Sequence, residues 1–314
     1  MRYLVCSPDY SARWNSVHEI FKQDLFESQD VVFFGPGYPL WEDNKTYSAV
    51  QLLQKFSADI LFVFHSKYVR HWLTGIELVK TSVCYQVDYY PEREHEQWRN
   101  EYLLLNKFNL TIFPNRFMID QFRAINYGRK LPLTLYLPFG VNTELFKLDP
   151  EVERRLDIAA IMSFNKVEYP NRKIIFDTLR KSLISNAFLH KITCSSEAFS
   201  LDFYIKALQQ AKIALHSCDR YKSTALKCFE VLGCGALLLT DTATDFDYLG
   251  FRDGVNYINY DVDVIKKLPK QIAKILKDKD KLQLIAENGN QFVNQNHTNQ
   301  HRALKLWSFI KGAL

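Results

Sequence analysis

No run in this chain of 314 residues approaches the roughly 18 consecutive apolar residues that a membrane-spanning helix requires. A helical membrane protein is therefore not expected. The N-terminus, MRYLVCSPDY, passes from a short strand into polar residues without a signal-peptide core, so the expected location is cytoplasmic. Cysteine is sparse and dispersed. The six, at 6, 84, 194, 218, 228 and 234, form no CxxC pair and have no His at zinc-ligand spacing, and they read as reduced, mostly buried thiols. Strong charge imbalance is missing too: a net charge of +5 suits an anionic ligand or surface but lacks the clustering of a nucleic-acid binder. FGPG at 34–37 is a lone Gly-x-Gly, without the third glycine or downstream acid of a dinucleotide site, and P-loop and nucleophile-elbow patterns are absent. Dehydrogenase, kinase and hydrolase readings lose ground accordingly.

What the chain does have is core material. Its 47% hydrophobic and 14% aromatic content is ample for two domains of ordinary size. Apolar β-rich runs alternate with helical patterns along nearly the whole length: RYLVC, VVFFG, ILFVFH, SVCYQV, LTIFP and LTLYLP in the first half, then DIAAIMS, LHKITC, KIALHSC, GALLLT and VNYINY. Continuous apolar strands bounded by helices predict an α/β protein with parallel sheets covered on both faces, and the two sets predict two sheets. The expected boundary lies within 138–157, where a Pro-Gly turn, a polar stretch and a second proline interrupt the alternation, so one domain ends near 145. Two helices, about 279–295 and 298–312, close the chain. The one basic run, KKLPKQIAKILKDKDK at 266–281, sets Leu268, Ile272 and Ile275 at helical spacing after Ile265. Its lysines therefore read as the solvated face of an amphipathic helix, with a membrane-surface or nucleic-acid role as the alternative.

KCFEVLGCGALLLTD, residues 227–241, is the most informative stretch, because it sets Glu230 inside an apolar helix that runs into an apolar strand. A buried carboxylate needs a partner, either a ligand or a neighbouring Lys or Arg. Ser223 or Thr224 is the expected N-cap, which starts the helix near Ser223, and Gly233 and Gly235 bracket Cys234 where helix gives way to strand. Lys227 near the helix start opposes the macrodipole unless an anion sits there as well, so backbone N–H groups plus Lys227 make a phosphate cradle. The plainer reading points Lys227 into water.

The same residues carry a family resemblance. YQVDYYPE (85–92), TIFPNRFMIDQF (111–122), LPFGVNTELF (137–146), DIAAIMS followed by Arg172, DFYIKALQQAKIAL (202–215), the 227–241 block and FRDGVNYINYD (251–261) follow one order. In that order and approximate spacing the chain resembles the GT-B glycosyltransferases of the group 1 type, and within them the spore-maturation-protein-like branch. The resemblance implies two Rossmann-like domains with parallel sheets and an interdomain cleft: an acceptor-binding domain at 1–145, a nucleotide-sugar-binding domain at 146–296, and a C-terminal helix at 297–314 that crosses back to the first. It also implies that Glu230 binds the nucleotide ribose and that Arg172 and Lys227 contact the diphosphate. Both roles fit the charges, since a carboxylate accepts two hydroxyls and a guanidinium or helix N-terminus takes phosphate oxygens. The family's paired Arg and Lys after the first strand of the second domain are echoed by Lys166 and Arg172. One departure stands: many group 1 enzymes carry a second glutamate eight residues before the first, against the donor sugar, and here that position is Lys222.

Candidates for the chemistry lie in both halves. His65 ends ILFVFH and Asp88 follows SVCYQV, so both fall at carboxyl ends of parallel strands, where open α/β sheets bind ligands. Either serves as general base in an inverting mechanism, whereas a retaining, front-face mechanism needs none. His216, after KIAL, is a donor-side candidate. Tyr89 and Tyr90 offer stacking faces for a sugar, with core packing as the alternative. The three Asp-x-Asp strings, at 245–247, 261–263 and 278–280, do not sit where this fold would use them, and no required metal or other cofactor is expected. The reading is a cytoplasmic, metal-independent glycosyltransferase with a nucleotide sugar as donor, a UDP or GDP sugar first, and an unidentified acceptor: a glycan, a lipid, a protein or modified DNA. A nucleotide-sugar epimerase and a non-catalytic sugar-nucleotide-binding protein are the rivals.

Overall fold

The computed structural model describes residues 1–11, 16–88, 103–164, 169–182, 184, 186–192 and 200–314. The chain forms two compact units, Met1–Pro138 together with Arg302–Leu314, and Phe139–His301.

In the first unit a six-stranded sheet takes the order β2-β1-β4-β6-β7-β8 and every neighbouring pair is parallel. Its strands are β1 (Arg2–Cys6), β2 (Asp30–Phe34), β4 (Ile60–Phe64), β6 (Ser82–Tyr85), β7 (Leu110–Phe113) and β8 (Leu133–Tyr136), all at apolar runs of the sequence. The central strand β4 is buried at all positions, as a strand covered on both faces must be, while the edge strand β2 is only partly covered. Two shorter strands that the sequence did not announce, β3 (Tyr47–Ser48) and β5 (Leu73–Thr74), pair with each other. The helix Asn299–Ala313 contributes Trp307 to this core. Its indole lies against Tyr3 and Phe26, and its N–H donates to the Leu25 carbonyl at 2.8 Å.

The second unit repeats the design with five parallel strands in the order β10-β9-β11-β12-β13. They are β9 (Leu156–Ser163), β10 (Ala187–Ile192), β11 (Ala211–Leu215), β12 (Leu237–Thr240) and β13 (Ile258–Asn259). Ile158, Ile213 and Leu237 share a core with Leu268 and Ile272 of the helix Leu268–Lys277. The lysines at 266, 267, 270, 274 and 277 are exposed. The basic run thus has the amphipathic layout its spacing predicts. It breaks at Asp278, whose carboxylate accepts from the Lys281 N–H and caps the next helix, Lys279–Asn296. No helix among the described residues is long and apolar enough to cross a membrane.

The expected helix start near Ser223 is corrected. The helix is Leu226–Gly233, its N-cap is Ala225, and neither Ser223 nor Thr224 caps it. The reason lies upstream, where Lys222 takes a left-handed conformation (φ 49°) and its carbonyl accepts from both the N–H and the hydroxyl of Thr244. That turn delays the helical dihedrals by three residues. At the other end the two glycines are sterically required. A Cβ on Gly233 would meet the Phe146 carbonyl oxygen at 2.5 Å, and Gly235 has φ +70°, with Arg154 and Leu148 each 2.9 Å from where a Cβ would stand.

Candidate active site

In the second unit, polar side chains converge where β9 and β11 end and the helix Leu226–Gly233 begins. Arg172, on the helix Pro170–Arg180, is held from three directions. Its guanidinium donates to the carbonyls of Ser163 (3.0 Å) and Ser217 (2.9 Å), and the Tyr169 ring lies 3.6 Å from its centre. Its backbone N–H and that of Asn171 donate to the buried Asp219 carboxylate, which caps this helix. The remaining nitrogen, Nε, is buried without a hydrogen-bond partner.

Glu230 is 2% exposed and accepts from the Tyr204 hydroxyl at 2.6 Å through Oε2, while Oε1 has no hydrogen-bond partner. Burial pushes its carboxyl up to about 6, against the opposing pull of the Tyr204 hydrogen bond and of Lys227. Lys227 donates to the Ile161 carbonyl and lies 5.1 Å from the Tyr204 ring centre. Burial lowers its ammonium to about 8; Glu230 resists that shift and Arg172 adds to it. His216 is buried with neither ring nitrogen hydrogen-bonded. Burial, then the charges of Arg172 and Lys227, push it well below its ordinary value, so the imidazole is neutral. The Ser217 hydroxyl is also buried and unpartnered. Buried polar atoms are normally hydrogen-bonded, because an unmet one costs about 1–3 kcal/mol. Several such atoms in one cluster therefore describe a surface built for a polar ligand.

The first unit gathers a second cluster. His65 follows β4 in the left-handed region (φ 69°), a strained backbone for a non-glycine residue, held by hydrogen bonds to the Tyr85 carbonyl and from the Tyr68 N–H. Its Nε2 faces the Asp88 carboxylate at 3.8 Å. Gln86 fixes both loops, donating to the Asp88 carbonyl at 2.6 Å and accepting from the N–H and hydroxyl of Ser66. Burial raises the Asp88 carboxyl, but the facing His65 ring, then the charges of His18 and Lys67, outweigh it and hold the group below its ordinary value. His18, on the helix Ser16–Phe26, is pulled down to about 4 by burial, with Asp88 opposing and His65 adding to the shift. Asp88 is thereby kept ionised.

Residues 181–308 match the family described as "Glycosyl transferase-like". Among solved structures, a sucrose-phosphate synthase from Thermosynechococcus elongatus is similar with a TM-score of 0.74 at 11% identity, over 99% of this chain and 98% of that one. HepE from Anabaena, in complex with UDP and glucose, gives 0.72 at 14% identity over 99% and 100%. An alpha-glucosyltransferase in complex with UDP and a 13-mer DNA gives 0.64 at 10% identity over 99% of both chains. No curated protein matches the sequence. The chain has the GT-B fold of these structures.

The matched span holds Tyr204, His216, Lys227 and Glu230, whereas Arg172, His65 and Asp88 lie outside it. Of the residues singled out from sequence, the second unit brings together Arg172, His216, Lys227 and Glu230, and the first brings together His65 and Asp88. Lys222 pairs instead with Asp241 at 2.9 Å. Lys166, Tyr89 and Tyr90 lie outside the described residues. Two of the Asp-x-Asp strings have local structural work, Asp261 capping through the Asp263 N–H and Asp278 through the Lys281 N–H. Sequence reading missed Tyr204, whose hydroxyl reaches Glu230 across 26 positions, and His18, which nothing in its local pattern marks. It also found no metal-ligand spacing, yet the fold places His216, Cys218 and Cys228 together.

Proposed function

We propose that the chain transfers a sugar from a nucleotide sugar, UDP sugars first, to the hydroxyl of an acceptor. The single observation that carries the reading is the state of Glu230: one oxygen on Tyr204, the other buried and unmet, a turn of helix from Lys227, whose charge acts on His216 together with that of Arg172. A half-occupied carboxylate matches a ribose, which offers hydroxyl donors, and Lys227 with the Arg172 Nε–H matches the diphosphate. The similarity to HepE, described in complexes with UDP and with UDP-glucose, supports uracil as the first base to try. Stabilisation of the leaving diphosphate by fixed cations supplies the electrostatic part of catalysis. Asp88, kept ionised, accepts the acceptor's hydroxyl proton as that oxygen attacks the sugar's anomeric carbon and the diphosphate departs, with His65 as its orienting partner. Transfer needs no metal and takes place in the cytoplasm, with the first unit as the acceptor domain and the second as the donor domain.

Calorimetry with UDP, uridine and GDP tests the donor half. Glu230→Gln is expected to weaken UDP and uridine alike by about 1.5–3 kcal/mol, the worth of hydrogen bonds to a charged group, or roughly tenfold to over a hundredfold in Kd. Lys227→Met is expected to weaken UDP while leaving uridine nearly unchanged. Full UDP affinity in a folded Glu230→Gln variant overturns the assignment. Product analysis with and without acceptor separates a transferase from an epimerase, which converts the donor alone.

A further inference from the structure

We propose that His216, Cys218 and Cys228 form a binding site for a thiophilic metal ion, zinc before others, within the second unit. His216 and Cys218 leave the end of β11 two residues apart, and Cys228 stands in the first turn of the helix Leu226–Gly233. One imidazole nitrogen and the two sulfurs all lie within 4.8 Å of one another. All three residues are buried, at 4%, 3% and 0% exposure. Donors bound tetrahedrally to one zinc at about 2.0–2.3 Å stand roughly 3.5–3.8 Å apart, so the site closes with side-chain adjustments of about an ångström.

A second, independent observation points to a ligand. Both ring nitrogens of His216 are buried with no hydrogen-bond partner. The Cys218 sulfur lies 3.7 Å from the Thr240 hydroxyl and 3.5 Å from the Asp241 carbonyl, both weak contacts. Binding converts two thiols to thiolates and releases two protons to solvent, so the ion's two positive charges are cancelled where they form. That balance matters beside Arg172 and Lys227, which would repel an unneutralised dication. Two sulfurs and one imidazole form a soft donor set that selects zinc or copper(I) over magnesium or calcium. The fourth position of the tetrahedron falls to a donor from outside this group. The metal would tie the end of β11 to the start of the helix that carries Lys227 and Glu230, a role that stands whether or not that helix binds a nucleotide.

Titration of the reduced, chelator-treated full chain tests it, with zinc followed by calorimetry and cobalt(II) followed by absorption. Expected are one ion per chain, a sulfur-to-cobalt charge-transfer band, and an X-ray absorption spectrum of the zinc form with two sulfurs at about 2.3 Å and nitrogen at about 2.0–2.1 Å. Cys228→Ser is expected to lose at least a hundredfold in zinc affinity, whereas Cys234→Ser, at a buried thiol outside the group, keeps it. Sub-stoichiometric binding, an all-oxygen-and-nitrogen spectrum, or full affinity in Cys228→Ser overturns the site. If Cys228→Ser does not fold, the spectrum of the unmodified chain decides alone. UDP titration of the metal-free chain reports separately on the donor reading.

Discussion

Each unit buries a lysine and a glutamate three positions apart on one helix, and the two pairs have opposite fates. In the first unit the Lys22 ammonium is fully buried. It lies 2.7 Å from Glu19, donates to the Ser7 hydroxyl (2.7 Å), the Pro8 carbonyl (3.2 Å) and the Tyr38 hydroxyl (2.6 Å), and Glu19 in turn accepts from Tyr38, Gln23 and the Tyr10 N–H. In the second unit Lys227 has the Ile161 carbonyl and Glu230 has Tyr204, and one carboxylate oxygen is left over. Burial lowers both lysines to about 8, so desolvation does not tell them apart. Partners do. A buried charge whose every lone pair and proton is met inside the chain is a structural element, and one that is half met is arranged for something outside it.

The sharpest way to break this contrast is to remove each ammonium. Lys22→Met strands Glu19 in the core and is expected to cost about 3–5 kcal/mol of stability in urea unfolding. Lys227→Met is expected to leave stability within about 1 kcal/mol, its loss appearing in UDP affinity instead. Equal destabilisation by the two variants would erase the distinction.

A next effect separates binding from chemistry. Asp88→Asn keeps size and most hydrogen bonding but removes the proton acceptor, so turnover is expected to fall by about a hundredfold or more while UDP affinity holds. Near-normal transfer by this variant, or a product with the donor's anomeric configuration, moves the mechanism to the retaining class.

The smallest effect is a pH signature at Glu230. Glu230 takes its proton at about 6 in the native chain against an ordinary 4.5, so the native state binds more protons within that window. Its contribution to stability is fully present below about 4.5 and is lost as pH rises through about 6, a change of about 2 kcal/mol. UDP affinity is expected to run the other way, strengthening as the carboxylate ionises. Urea titrations and calorimetry between pH 4.5 and 7, repeated on Glu230→Gln, check both slopes, which should vanish together in the variant.

The sheets were legible because a parallel strand covered on both faces must be apolar throughout, and each such run, from RYLVC to VNYINY, contains a strand. β3 and β5, two residues each, are too short to carry a pattern. The start at Leu226 was hidden because it depends on a left-handed turn at Lys222 that Thr244 stabilises from 22 positions away. Glu230 could be picked out by its apolar surroundings. Tyr204, Asp219 and His18 could not, since their roles exist only once distant strands have aligned. The grouping of Cys218 with Cys228 was invisible for a related reason: turn, helix start and β11 must all form before the sulfurs meet.

Trp307 gives the molecule a timetable. Its ring fills space between Tyr3 and Phe26, and its indole N–H satisfies the Leu25 carbonyl, 282 positions earlier in the chain. At a synthesis rate of about 5–20 residues per second, the first strand and helix wait roughly 15 to 60 s for the side chain that completes their core. The first unit to be synthesised is thus the last to be finished.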